Sequence, residues 1–179
     1  YWRDWSSDVR SSDLVVAVPH AALPEVGVPI EVVHDSRPGS GPLAAVRDGL
    51  THAASATPPP RLAVLCSCDV PLIAPEVVGL LLDRADIPGV RWVLPIVGGH
   101  PQPLVSVIAV DLLPAIEHSL AHGRASLRDL ATAIAAARPQ AVCCVDAAEI
   151  QRADPALDSF RDVDTLVDLA AVAQRGRNP

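Results

Sequence analysis

Four carboxylates carry the chemical interest of this chain because of where they fall. Asp35 ends the β-branched run of PIEVVHD, Asp69 closes the apolar run RLAVLCSC, and Asp162 and Asp164 precede an amphipathic stretch late in the chain. In an open α/β sheet, ligands bind beyond the carboxyl ends of the strands, where loops and helix N-termini converge. A carboxylate placed there beside phosphates can hold Mg²⁺, which cancels phosphate charge and polarises the phosphoryl group for attack. Each also has a plainer use. Asp35 in DSRPG and Asp69 in CDVPL suit turn capping, while Asp162 and Asp164 suit the positive end of a helix dipole.

Other constellations offer less. His118 and His122 stand at i, i+4 without the acidic partner of an H-E-x-x-H metal site, so they read as a solvated face. There is no G-x-S-x-G elbow to support a hydrolase. Cys66, Cys68, Cys143 and Cys144 lie within apolar runs and lack C-x-x-C spacing, which predicts reduced core thiols rather than a zinc site.

The carboxylates need elements to position them, and from Val15 onward short apolar runs alternate with amphipathic stretches. That alternation predicts an α/β fold, a three-layer α/β/α arrangement with a mostly parallel sheet. Val15 to Val18 and Ile30 to Val33 read as strands, and the turn SRPGSGP leads into a helix whose Leu43, Val46 and Leu50 recur at helical spacing. Pro42 suits the first helical turn, where its missing N–H costs nothing. RLAVLCSC predicts a central strand buried on both faces, followed by a helix opening at Pro75. Arg91 to Val97 and LVSVIAV read as strands joined by a loop, GGHPQP. Two helices, DLLPAIEHSLAHG and ASLRDLATAIAAARP, precede a late strand, AVCCVD. Gly123 is a natural stop for the first of these helices. A closing helix follows, with Thr165 or Asp164 as N-cap and Leu166, Leu169, Ala170 and Val172 as its apolar stripe.

Half of the 179 residues are apolar, yet the aromatic ones are three Trp, one Tyr and one Phe, so a single core must be built from small and branched aliphatic side chains. A net charge of -7 without any Lys/Arg cluster excludes a nucleic-acid surface. An anionic substrate would instead need a divalent cation or a helix N-terminus. No apolar run approaches the roughly 20 residues of a membrane helix, and a cytoplasmic protein with no membrane partner is expected. Residues 1–14, YWRDWSSDVRSSDL, differ in kind and read as a non-native or artefactual leader. Residues 15–179 then form one domain.

Taken in order, four segments resemble the molybdenum cofactor guanylyltransferase family, whose fold is the glycosyltransferase-A-like, Rossmann-like nucleotidyltransferase fold. VVHDSRPGSGPLAAVRDGL is similar to the family's strand, Asp and GPLAG-type helix start. LCSCDVPLIAPEVVGLL resembles its C-D-x-P segment, GGHPQPLVSVI its G-R-P-H-P-L loop and strand, and DSFRDVDTLVDLA its F-x-N-(V/I)-N-T-P ending. GRASLRDL resembles a further G-x-R-(S/R)-(L/V)-R segment.

The resemblance implies transfer of GMP from Mg·GTP to the terminal phosphate of molybdopterin, with release of pyrophosphate. It implies Asp69 as the catalytic, magnesium-binding carboxylate and Asp35 beside the guanine nucleoside. Gly41, Pro42 and Leu43 would form the turn under the nucleotide, and Gln102, Arg124, Arg128, Asp162 and Asp164 would lie on the pterin side. Mg²⁺ and GTP are thus implied, with molybdopterin and other molybdenum cofactor proteins as partners. The sequence also departs from the family pattern. Nothing matches the L-A-G-G-x-S-x-R-M-G-x-D-K phosphate loop, so the expectation is a domain lacking that N-terminal unit. Gln102 stands where His is usual, Leu166 where Pro is usual, and Asp162 and Asp164 replace two Asn. A cytidylyltransferase, another small nucleotidyltransferase, or a catalytically silent domain of the same fold remain open alternatives.

Overall fold

The computed structural model describes residues 15–18, 31–37, 39–124 and 126–175; residues 1–14, read above as a leader, lie outside them. The chain divides into two compact units, each built on its own sheet.

The first unit takes the described residues up to Arg61 together with Leu113–Leu127. Strand β1 (Val15–Val18) pairs in parallel with β2 (Glu31–His34), Val16 opposite Val32. Helix α1 (Pro42–Ala54) covers this pair. Its start is dictated locally: Gly41 sits at φ 82 and ψ 174, a region open in practice to glycine alone, and Pro42 follows with a φ already suited to a helix. Leu43, Ala44 and Leu50 are buried. Helix α3 (Leu113–Ala121) lies against α1 with Ile116 fully buried. It stops at Gly123, whose φ of 72 turns the chain so that the Arg124 amide donates to the Ser119 carbonyl at 3.0 Å.

The second unit takes Leu62–Leu112 and the described residues from Arg128 onward. Its sheet runs β3 (Leu62–Cys66), β6 (Val105–Ala109), β4 (Trp92–Val97), β7 (Val142–Asp146), with β5 (His100–Pro101) hooked onto β4. Helices α2 (Pro75–Ala85), α4 (Leu127–Ala137), α5 (Ala147–Ile150) and α6 (Leu166–Arg175) complete the described elements. β4 and β7 are parallel, but β6 is antiparallel to both β3 and β4. The α/β class stands, while the sheet is mixed rather than mostly parallel. The reversal begins at GGHPQP, which is a hairpin and not a plain loop. Gly98 and Gly99 have φ of 58 and 78, the two-residue turn that matches strand twist, and they bring His100 opposite Val97. A strand that returns by hairpin needs no crossover helix, so β6 comes back antiparallel.

The buried centre of this sheet is β6 and β4, not β3: all five residues of β6 and Trp92 to Pro95 are buried. β3 pairs only with β6 among the described residues, and Val64 is 42% exposed, so the expected burial of this strand on both faces is not seen. Val77, Leu81 and Ala85 of α2 pack with Val93, Val107, Val145 and Ile150 to form the aliphatic core that the scarcity of aromatic residues requires. Trp92 is fully buried and donates its indole N–H to Ser106 Oγ at 3.1 Å.

Two other expectations are corrected. The cysteines are free thiols, but Cys66, Cys68 and Cys144 are exposed and Cys143 is half-buried, because β3 and β7 are the outer strands of the described sheet. In α6 the stripe is not covered: Leu166 is 83% and Leu169 50% exposed. No helix among the described residues is long and apolar enough to cross a membrane.

Candidate functional site

Asp69 stands where strand β3 gives out. The Ser67 amide still donates to Leu104 across the sheet at 2.8 Å, after which the chain turns, Val70 N–H reaching back to the Ser67 carbonyl. Val70 is buried and anchors the turn, leaving Asp69 half-buried at its corner. The Asp69 carbonyl then accepts the amide of Val163 at 2.8 Å. That bond lays the segment carrying Asp162 and Asp164 alongside the Asp69 turn.

The electrostatic consequence falls on Asp162. Its carboxyl is pushed above the ordinary aspartate value by desolvation and then by the negative charges of Asp69 and Asp164. Neither Asp162 nor Asp164 caps α6. Thr165 and Asp168 do so reciprocally: Asp168 N–H reaches Thr165 Oγ at 3.2 Å, and Thr165 N–H reaches Asp168 Oδ2 at 3.0 Å. Among the described residues, no group of three or more His, Cys, Asp or Glu side chains forms a ready-made metal cage. Mg²⁺ does not demand one, since it is commonly held by one or two carboxylates with substrate phosphates and water. Beside Asp69, the Cys66 thiol is pushed up by partial desolvation on its protein-facing side, by the Asp69 charge and by Cys68. It therefore stays protonated near neutral pH and makes a poor nucleophile.

Of the other predicted residues in this unit, Gln102 links β5 to β6 through its main chain, donating to the Pro95 carbonyl at 2.9 Å and accepting from Val105 N–H at 3.2 Å. Arg128 lies exposed in the first turn of α4.

In the first unit, Asp35 directly follows β2, and its Oδ1 is buried with no hydrogen-bond partner among the described residues. The turn after it is bolted to α1. Ser36 donates its amide to Asp48 Oδ2 at 2.8 Å and its hydroxyl to Asp48 Oδ1 at 3.2 Å, and Arg47 donates to the Ser36 hydroxyl at 2.5 Å. Sequence reasoning missed Arg47 and Asp48, which look like surface charges within a helical pattern. A cavity of about 320 Å³ opens nearby, lined by Arg37, Ser40 and Ala44 on one side and Leu120, Gly123 and Arg124 on the other. Neither guanidinium has an ion-pair partner among the described residues. Arg124 thus shares a cavity with Arg37, a partner the sequence did not reveal, and Arg128 is not part of its lining.

The sequence and the α/β fold have counterparts among known proteins. The family model described as the MobA-like NTP transferase domain matches residues 6–141. This chain belongs to that family. A probable molybdenum cofactor guanylyltransferase of Mycobacterium avium (strain 104) is 33% identical over 161 residues, 89% of this chain and 72% of the relative. One from Methanosarcina mazei is 32% identical over 143 residues, 78% of this chain and 58% of the relative.

Solved structures agree at the level of fold. Molybdopterin-guanine dinucleotide biosynthesis protein A from Archaeoglobus fulgidus superimposes with a TM-score of 0.65 at 20% identity, covering 83% of this chain and 69% of its own. The 2-C-methyl-D-erythritol 4-phosphate cytidylyltransferase of Thermus thermophilus gives 0.63 at 18% identity, covering 92% and 82%. The MobA-like chain is therefore a nucleotidyltransferase-family protein of α/β architecture.

Proposed function

We propose that this MobA-like chain is a molybdenum cofactor guanylyltransferase, moving GMP from Mg·GTP to the terminal phosphate of molybdopterin. The observation that supports the reading is the Val163 amide bonded to the Asp69 carbonyl at 2.8 Å, which lays the segment carrying Asp162 and Asp164 beside the Asp69 turn at the end of β3. Carboxylates on neighbouring segments offer oxygen donors that suit a hard divalent ion such as Mg²⁺. Asp69 would hold it, and when bound it neutralises phosphate charge and polarises the α-phosphoryl group.

The remaining work belongs to positioning. An oxygen of the acceptor phosphate forms the new bond to the α-phosphorus while the bond to the bridging oxygen breaks, and pyrophosphate leaves with that electron pair. The acceptor needs no general base, because a phosphate monoester with a second pKa of about 6 is already anionic at neutral pH. Asp35, with one oxygen unsatisfied, is assigned to donors of the guanine nucleoside. Gly41, Pro42 and Leu43 shape the turn beneath the nucleotide. Gln102, Arg124, Arg128, Asp162 and Asp164 are assigned to the acceptor side, and guanidinium groups such as that of Arg124 suit phosphate oxygens. The setting is cytoplasmic, with other molybdenum cofactor proteins delivering the acceptor and receiving the product.

The deciding experiment is a calorimetric titration with GTP and with CTP, each with and without Mg²⁺, on the wild type and on Asp69→Asn. Mg²⁺-dependent GTP binding that Asp69→Asn loses is the expected result. Preference for CTP would move the assignment to a cytidylyltransferase. Binding of neither nucleotide would make this a silent domain of the same fold.

A further inference from the structure

We propose that Ser159 is a positioning residue for the carboxylate site, acting through a buried hydrogen-bond knot that holds the Asp162–Asp164 segment onto the Asp69 turn; the role rests on the metal-site reading above. Ser159 is fully buried, and its amide donates to Asp154 Oδ2 at 2.7 Å. Its Oγ accepts the Ala74 amide at 2.9 Å. Ala74 is the N-cap of α2 and has no side-chain cap of its own. The N–H groups at a helix start have no intrahelical acceptor, so Ser159 supplies from another part of the chain what a capping side chain normally would.

The two chain segments are therefore stitched together twice, at Ser159 with Ala74 and at Val163 with Asp69. The first stitch precedes Asp162 in the chain, and the second lies between Asp162 and Asp164. Asp154 is itself 8% exposed, an uncommon place for a carboxylate without donors. It receives the Ser159 amide, and its carboxyl lies below the ordinary value because donors around the Ser159 turn outweigh the desolvation that would raise it. Ser159 thus accepts from Ala74 with its hydroxyl and donates to Asp154 with its amide, so one residue couples the start of α2 to a buried, charged anchor. Leu157 completes the turn with φ 54 and ψ 30, a left-handed conformation that a non-glycine residue holds only when its surroundings fix it. Ser159 and Asp154 are buried, and neither serves the chemistry directly. The network's geometric output is where Asp162 and Asp164 stand relative to Asp69.

The test joins amide hydrogen exchange with Mn²⁺ titration followed by electron paramagnetic resonance, on the wild type, Ser159→Ala, Ser159→Thr, Asp154→Asn and Asp69→Asn. Ser159→Ala should speed exchange at Val163 and Ala74 at least about tenfold while amides of β4 and β7 keep their protection, the signature of local release. It should also weaken Mn²⁺ binding by about tenfold, the usual scale for losing a group that orients a metal ligand. Ser159→Thr, which keeps the hydroxyl, should recover most of both, and Asp154→Asn should reproduce the selective loss if Ser159→Ala does not fold.

A uniform loss of protection across the core, or unchanged exchange at Val163, would overturn the positioning role. If Asp69→Asn loses Mn²⁺ while Ser159→Ala keeps it, the positioning role alone falls. If Asp69→Asn binds Mn²⁺ as the wild type does, the metal-site reading itself has failed and the role of Ser159 at that site goes with it.

Discussion

The amide of Val163 donates to the carbonyl of Asp69 at 2.8 Å. Two aspartates flank the donor, and the acceptor belongs to a third, so a single main-chain bond joins the segments that carry all three. A main-chain link is tolerant of side-chain substitution, which means each carboxylate can be changed with little effect on the approach of the two segments.

Asp162→Asn is the first such change to make. A carboxyl whose folded pKa lies above its unfolded value costs stability once it ionises. That cost is present above the folded pKa and vanishes below the unfolded value, near about 3.9. Because Asp162 is raised, Asp162→Asn should be at least as stable as the wild type near pH 7, with the difference disappearing by about pH 3.5. Solvent screening at this exposed side chain keeps the gain below about 1 kcal/mol. Urea denaturation at both pH values reads it, and a clear loss of stability at pH 7 would show that the charges are not in conflict.

Asp154 should respond with the opposite sign. Burial alone would raise its carboxyl, but the donors from Ser159, Asp158 and Ala156 outweigh burial and hold it below the ordinary value. Its contribution is therefore fully present above the unfolded pKa and lost as pH falls through the lower folded one. Asp154→Asn should destabilise the chain by about 1–3 kcal/mol near pH 7, and the gap to the wild type should close on acidification. A gap that widens at low pH would contradict this account.

Gly41→Ala probes the start of α1. At φ 82 and ψ 174 a Cβ is strained whatever space surrounds it, at a cost of about 1–3 kcal/mol. The thermal midpoint followed by circular dichroism should drop accordingly, whereas Gly79→Ala, inside α2 with open space around the new methyl, should be neutral or stabilising.

Arg37→Ala and Arg124→Ala should each weaken binding of inorganic phosphate, and the double variant should lose less than the sum of the two, because both side chains line one cavity. Isothermal titration at low ionic strength measures this. Full additivity would mean the two guanidinium groups act on different anions.

Much of the scaffold was open to local reasoning. The start of α1 follows from Gly41 and Pro42, the end of α3 from Gly123, and the place of Asp69 after β3 from an apolar run ending in a turn, since each depends on residues adjacent in sequence. Cys66, Cys68 and Cys144 misled for a related reason. An apolar run states that a strand is present, not whether it lies in the middle of a sheet or at its side.

By itself, then, the sequence determined the α/β class, most helix and strand positions, the four candidate carboxylates and the lack of any Lys/Arg cluster, because periodicity, turn chemistry and charge act over short distances. Only the tertiary structure decided that β6 runs antiparallel, that Asp162 feels Asp69, that Arg124 shares a cavity with Arg37, and that Ser159 caps a helix begun at Ala74. These are relations between residues far apart along the chain. They exist only once burial of the aliphatic core has brought the segments together, and no local rule encodes which distant partner a polar group will meet.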